Sequence, residues 1–96
     1  MILNEHDTEE GLLVSVCDRD VIGETFEEGE ISLTVEEEFY GGDEVDESAV
    51  VDSLARAQVA NLVGTRTVEV AVEHGFVEET NVLDIGRTRH AQFLRM

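Results

Sequence analysis

His90 and Gln92 lie two apart in the run RHAQFL, a spacing that sets an imidazole and a carboxamide on one side of an extended strand. Such a pair binds through hydrogen bonds, and the imidazole can act as a general base where a reacting group lies within reach. Gln58 and Asn61 are two further amides, set among apolar residues in LARAQVANLVG. Tyr40, Gly41 and Gly42 add a stretch of backbone free to take positive φ or to approach another group closely. It is too short for a phosphate loop, and no Gly-Lys-Ser/Thr follows. Arg87 and Arg89 come just before the His90–Gln92 pair. These nine positions are the candidate binding residues. None is given a catalytic role.

Other chemistries lack their residues. His6, His74 and His90 are far apart, and no second histidine stands at metal-ligand spacing, so no metal is expected. The lone cysteine, Cys17, ends the apolar run GLLVSVC, the usual setting of an inert buried thiol. No carboxylate pair and no nucleophile–base pattern can be placed, and no cofactor is implied.

The elements that must carry these residues read as three strands, two helices and two strands. MILNEH and GLLVSVCD form a β-hairpin around the acidic loop DTEEG. EISLTVEE alternates Ile31, Leu33 and Val35 against polar residues, as a half-buried strand does. Gly23 and Gly29 mark turns between them, with Phe26 as a core anchor. A helix is expected over residues 49–63, capped by Asp46 or Ser48 and stopped at Gly64. In that helix Val50, Leu54 and Ala57 share a face, and Gln58 and Asn61 fall in its middle. There they either satisfy loop backbone such as YGG or line a cleft. A second helix runs from a Thr65 cap through His74, with Gly75 in the left-handed position and Phe76 beyond it. NVLDIG and HAQFLRM close the chain as two strands around GRTR. The order favours an α+β two-layer sandwich, a mostly antiparallel sheet of about five strands with both helices on one face, in one domain.

Charge is the strongest compositional signal. The 96 residues hold 23 acids, six arginines and no lysine, for a net −17. Self-repulsion on this scale weakens a compact state in dilute buffer, and salt screens it. The composition points to a halophilic archaeal protein, at home in a salt-rich cytoplasm. No stretch approaches a membrane span of about 20 apolar residues, and the acidic start does not resemble a signal peptide. The closing twelve residues hold three arginines and no acid, while every carboxylate precedes them. This basic tail either contacts an anionic partner or pairs with the acidic body to hold the last strand.

The runs EEFYGG, ANLVG, EHGFV and HAQFLRM occur in the order of a known family. The chain resembles the archaeal domain-of-unknown-function family number 424, in a halophilic version, along essentially its whole length. It departs from the family where a Gly-Val-Pro-like turn is replaced by GRTR. The resemblance implies no defined activity, but it does imply an association with translation or RNA handling. It singles out Tyr40, Gly41, Gly42, Asn61, His90 and Gln92. A small binding module contacting RNA or a translation-related protein is therefore expected, with Arg66, Arg87, Arg89 and Arg95 as the cations that would meet RNA. The alternatives are a protein–protein adaptor without nucleic-acid contact and a small enzyme using His90 as general base.

Overall fold

The structure is a computed structural model that describes residues 1–95. Met96, expected as the last residue of the closing strand, lies outside the described residues. Two long strands open the chain, β1 (Ile2–Thr8) and β2 (Gly11–Cys17), paired in antiparallel register from Ile2↔Cys17 to Thr8↔Gly11. The ladder thus runs further than expected, and only Glu9 and Glu10 form the turn. A short 3₁₀ turn (Arg19–Val21) leads into a separate hairpin of β3 (Thr25–Glu28) and β4 (Ile31–Thr34). One turn of helix, α1 (Glu37–Tyr40), and the two-residue β5 (Asp43–Glu44) follow.

The expected helix over residues 49–63 is two elements. Helix α2 spans Glu47–Arg56, capped by the Asp46 carboxylate, which accepts from the Ala49 amide at 3.0 Å. Ala57 then turns extended, and Val59–Val63 forms strand β6. The phase on which Gln58 and Asn61 shared a helix face is overturned with it. The physical reason lies outside the segment. The Gln58 amide donates to the Leu12 carbonyl at 2.8 Å, and β6 pairs along its length with β2 on one side. A last strand, β8 (Thr88–Leu94), pairs with it on the other. A central strand's hydrogen bonds come from distant chain, and they override local helical preference.

Helix α3 (Thr65–Glu73) starts directly after β6, with Gly64 rather than Thr65 at the cap position. Its C-terminus closes as expected. Gly75 has φ +77°, its amide donates to Val72, and the Phe76 amide donates to Ala71 at 2.8 Å. Phe76 is thereby turned onto the sheet, where its ring stacks on Phe93 at 6.3 Å. A second 3₁₀ turn (Glu79–Asn81) leads to β7 (Leu83–Ile85), which pairs with β8.

The main sheet has six strands in the order β5-β1-β2-β6-β8-β7. The expected five-strand, mostly antiparallel sheet is therefore corrected to a mixed one. β2 and β6 are parallel, because the crossover between them returns through α2. The α+β class stands. Helices α2 and α3 cover one face, where Val50, Leu54, Val68 and Ala71 pack on Val14, Val16, Ala60, Leu62 and Ala91. The other face is not bare. The β3–β4 hairpin and α1 cover one end of it, enclosing Cys17, Val21, Val35, Tyr40 and Val63.

Candidate functional site

Directly paired residues in a sheet point to the same side, so the ladders define rows of side chains across the strands. On the face away from α2 and α3, the first row is Glu44, Ile2, Cys17, Val63, His90 and Leu83. Next comes an unbroken polar row, Asn4, Ser15, Asn61 and Gln92. The third is His6, Leu13, Val59 and Leu94. The hairpin and α1 cover most of the first row and leave the other two open over β6 and β8. The first row holds a carboxylate only at its far end, Glu44 on β5, and the second and third rows hold no Asp or Glu, although nearly a quarter of the chain is acidic, 23 residues of 96. The opposite face of the same strands carries Glu5, Asp7 and Asp84.

Three sequence candidates meet here: Asn61 half-buried, Gln92 exposed, and His90 half-buried beside them. Burial lowers the His90 pKa, because the imidazolium loses hydration with no carboxylate nearby to replace it. The ring is thus a neutral hydrogen-bonding group. Asn4 and Ser15 complete the row and were missed. Ser15 stands inside the apolar run LLVSVC and Asn4 directly after Ile2 and Leu3, but neither position tells which residues they meet across the sheet. The Ser15 hydroxyl is fully buried with no partner among the described residues.

The remaining candidates hold the fold. Tyr40 is buried, its ring edge-on to Phe39 at 5.1 Å, and its hydroxyl is pushed up to about 12 by desolvation. An amide does satisfy the YGG backbone, but it is Asn4, whose Nδ2 donates to the Gly41 carbonyl at 2.6 Å. Gly42 presses against β1: a Cβ there would stand 2.1 Å from the Leu3 carbonyl oxygen. Gln58 clamps the chain end, its side chain donating to the Arg95 carbonyl while its own carbonyl accepts from the Arg95 amide. Arg89 lies on the helix side, bonded to Glu79 and, at 3.1 Å, to Asp84. Arg87 is exposed at the β7–β8 turn, beside Asp20, Glu24 and Phe26. Arg87, Arg89, Tyr40 and the His90–Gln92 pair therefore do not share one surface.

Topology marks a second place. Ligands of open sheets gather at the carboxyl ends of parallel strands, near a helix N-terminus. Here those ends are Cys17 of β2 and Val63 of β6, with α3 starting beside them. The position is filled by the chain itself. The Asp18 carboxylate accepts from the Arg66 amide at 3.0 Å and from the Thr67 amide and hydroxyl at 2.8 Å each. Gly64 makes room for it: a Cβ there would be 2.3 Å from the Asp18 carboxyl carbon. Cys17, buried next to it, has a thiol raised to about 11 by desolvation, a poor nucleophile. Among the described residues no cluster of three His, Cys, Asp or Glu side chains could hold a metal ion, and no helix is long and apolar enough to cross a membrane.

A mixed six-stranded sheet with helices on one face and a hairpin across part of the other defines a small α+β protein whose notable surface is the polar, acid-free part of the second face over β6 and β8. By sequence, the chain belongs to the family described as a protein of unknown function (DUF424), whose model matches residues 5–96. No curated protein matches it. Its fold is similar to the crystal structure of an uncharacterized conserved protein from Methanopyrus kandleri, with a TM-score of 0.81 at 24% identity, covering 99% of this chain and 92% of that one.

Proposed function

We propose that this chain is a small protein-binding module of a salt-rich archaeal cytoplasm, with the acid-free rows on β6 and β8 as its contact surface. The carrying observation is the absence of carboxylates from the β6 and β8 positions of that face in a chain of net −17. A solvated surface of this protein has every compositional reason to be acidic. A surface that must be desolvated against a partner does not, because a buried unpaired carboxylate is costly. Asn61, Gln92 and neutral His90 give it hydrogen bonds without charge.

The arginines favour a protein over RNA. Arg66 is paired with Glu47 and Glu69, Arg89 with Glu79 and Asp84, and Arg95 lies against backbone carbonyls of α2. That leaves Arg87 of the four cations expected to meet RNA, and one cation releases few counterions. Translation-related proteins are the partner class to examine first.

The test is recovery of partners by the tagged chain from a high-salt lysate, with and without nuclease, for the wild type and for Gln92→Glu. A partner that survives nuclease and is lost with Gln92→Glu supports the reading. Recovery that depends on intact RNA returns the RNA-handling reading instead. A partner bound equally by both chains places the contact elsewhere.

A further inference from the structure

We propose that the unpaired edge of β8, from Ala91 to Leu94, receives an extended strand from a basic protein partner. The proposal rests on the acid-free face as contact surface and gives the partner a shape and a charge.

β8 pairs with β6 along nearly its whole length, but with β7 only through Thr88, Arg89 and His90. In an antiparallel ladder the amide and carbonyl of one residue point to the same side, and the side alternates. The Arg89 carbonyl accepts from Gly64 at 2.9 Å and the Arg95 amide donates to Gln58 at 2.8 Å, so odd-numbered residues face β6. Thr88 and His90 face β7. Gln92 and Leu94 turn their amides and carbonyls to the same outer side, where no strand pairs with them among the described residues. The chain before Leu83 does not extend the ladder. It coils into the Glu79–Asn81 turn, where the Asn81 amide goes to Glu78 and the Val82 amide to Glu79.

Side chains beside this edge fit a strand. Leu94 is 62% exposed, the most exposed large apolar residue described. With Val59, Gln92 and Phe93 it lines a recess of about 450 Å³. Strand addition uses these two elements, a row of free main-chain groups and a pocket for an alternate side chain. The edge also lacks the usual guards: Ala91 to Leu94 contain no charge, and the chain has no proline or lysine.

Charge selects the partner. With 23 acids against six arginines, the short-range charge contacts that survive salt screening are mostly with carboxylates and favour a cationic segment, while the acid-free edge lets that segment's apolar side chains seat without trapping a carboxylate. A second copy fits worse. It brings a second −17.

The probe is a blocked heptapeptide with a central leucine and alternating valine and arginine, added to the ¹⁵N-labelled full chain. Saturable binding should slow amide exchange at Gln92 and Leu94 by at least about tenfold, while Ala91 and Phe93, already turned toward β6, change little. The same peptide N-methylated on its pairing amides should not bind. Leu94→Pro removes an outward amide that the sheet does not use, so it should abolish binding with the thermal midpoint nearly unchanged. If that variant melts early, the N-methylated peptide alone decides. No saturation by about 1 mM, or equal binding of the N-methylated peptide, overturns the proposal. Saturation that shifts the Asn61 and Gln92 side-chain amides without protecting the two edge amides overturns the edge and leaves the face reading standing. Loss of the face reading shows instead as a protein partner recovered equally by Gln92→Glu. A dimer held through the same amides overturns the choice of a foreign strand.

Discussion

The Arg95 guanidinium lies 2.7 Å from the carbonyl oxygen of Ala57, where α2 ends. The same nitrogen reaches the carbonyls of Leu54 and Ala55 at 3.1 Å each, and the guanidinium lies over the Phe93 ring, 4.9 Å from its centroid. A cation thus meets the negative end of the α2 dipole, and two of the three tail arginines, Arg89 and Arg95, are bound into the fold. Arg95→Gln should therefore lower stability by about 1 kcal/mol. Arg87→Gln, at an exposed site without an ion pair among the described residues, should leave it nearly unchanged. Denaturant midpoints of the two variants check this, and equal midpoints would remove the capping role.

Asp18 and Gly64 form a cap made by two distant residues. Asp18→Ala strands the Arg66 and Thr67 amides and should cost about 1–2 kcal/mol. Gly64→Ala forces a side chain into φ +118° and against that carboxylate, so it should destabilise too. The two changes act on one contact. The double variant, measured by urea unfolding, should lose less than the sum of the single losses.

Stability should rise with salt. Between about 0.1 M and 3 M KCl the screening length falls from about 10 Å to below 3 Å. Repulsion within a body of −17 is thereby quenched, and the thermal midpoint should climb. A flat series would remove the halophilic reading.

His90 gives a pH dependence of known sign. Its folded pKa lies below the ordinary 6.5, so the unfolded chain takes up the proton first as pH falls. The contribution of neutral His90 is complete above the unfolded value and is lost as pH drops through it toward the folded one. Protonation of carboxylates also relieves the net charge, so the readout is the difference between wild type and His90→Gln. That difference should narrow or reverse as the solution is acidified below pH 6.5. An NMR titration of the His90 ring with a midpoint at or above 6.5 would contradict the burial argument.

The fold was legible where local chemistry decides it. The Asp46 cap, the Gly75–Phe76 helix end, the first hairpin and the two closing strands all follow from residues close in sequence. β6 was not legible. Val59–Val63 follows α2 with no Gly or Pro between, and its strand state depends on β2 and β8, which the sequence does not place. The pairing of His90 with Gln92 could be read from their spacing. Their meeting with Asn61 could not, because it required β6. Asn4 and Ser15 were hidden for the same reason: a polar residue in an apolar strand shows its purpose only when its neighbours across the sheet are known.

The position of β6 also sets how the molecule must assemble. The strand sits between β2 and β8, and its pairing with β2 closes residues 18–58 into a loop. Such non-local pairing slows refolding to the millisecond-to-second range. The sequence contains no proline, so the isomerisation that usually produces a slow kinetic phase has no source here. A slow phase in refolding would therefore report non-local pairing such as that of β6 with β2.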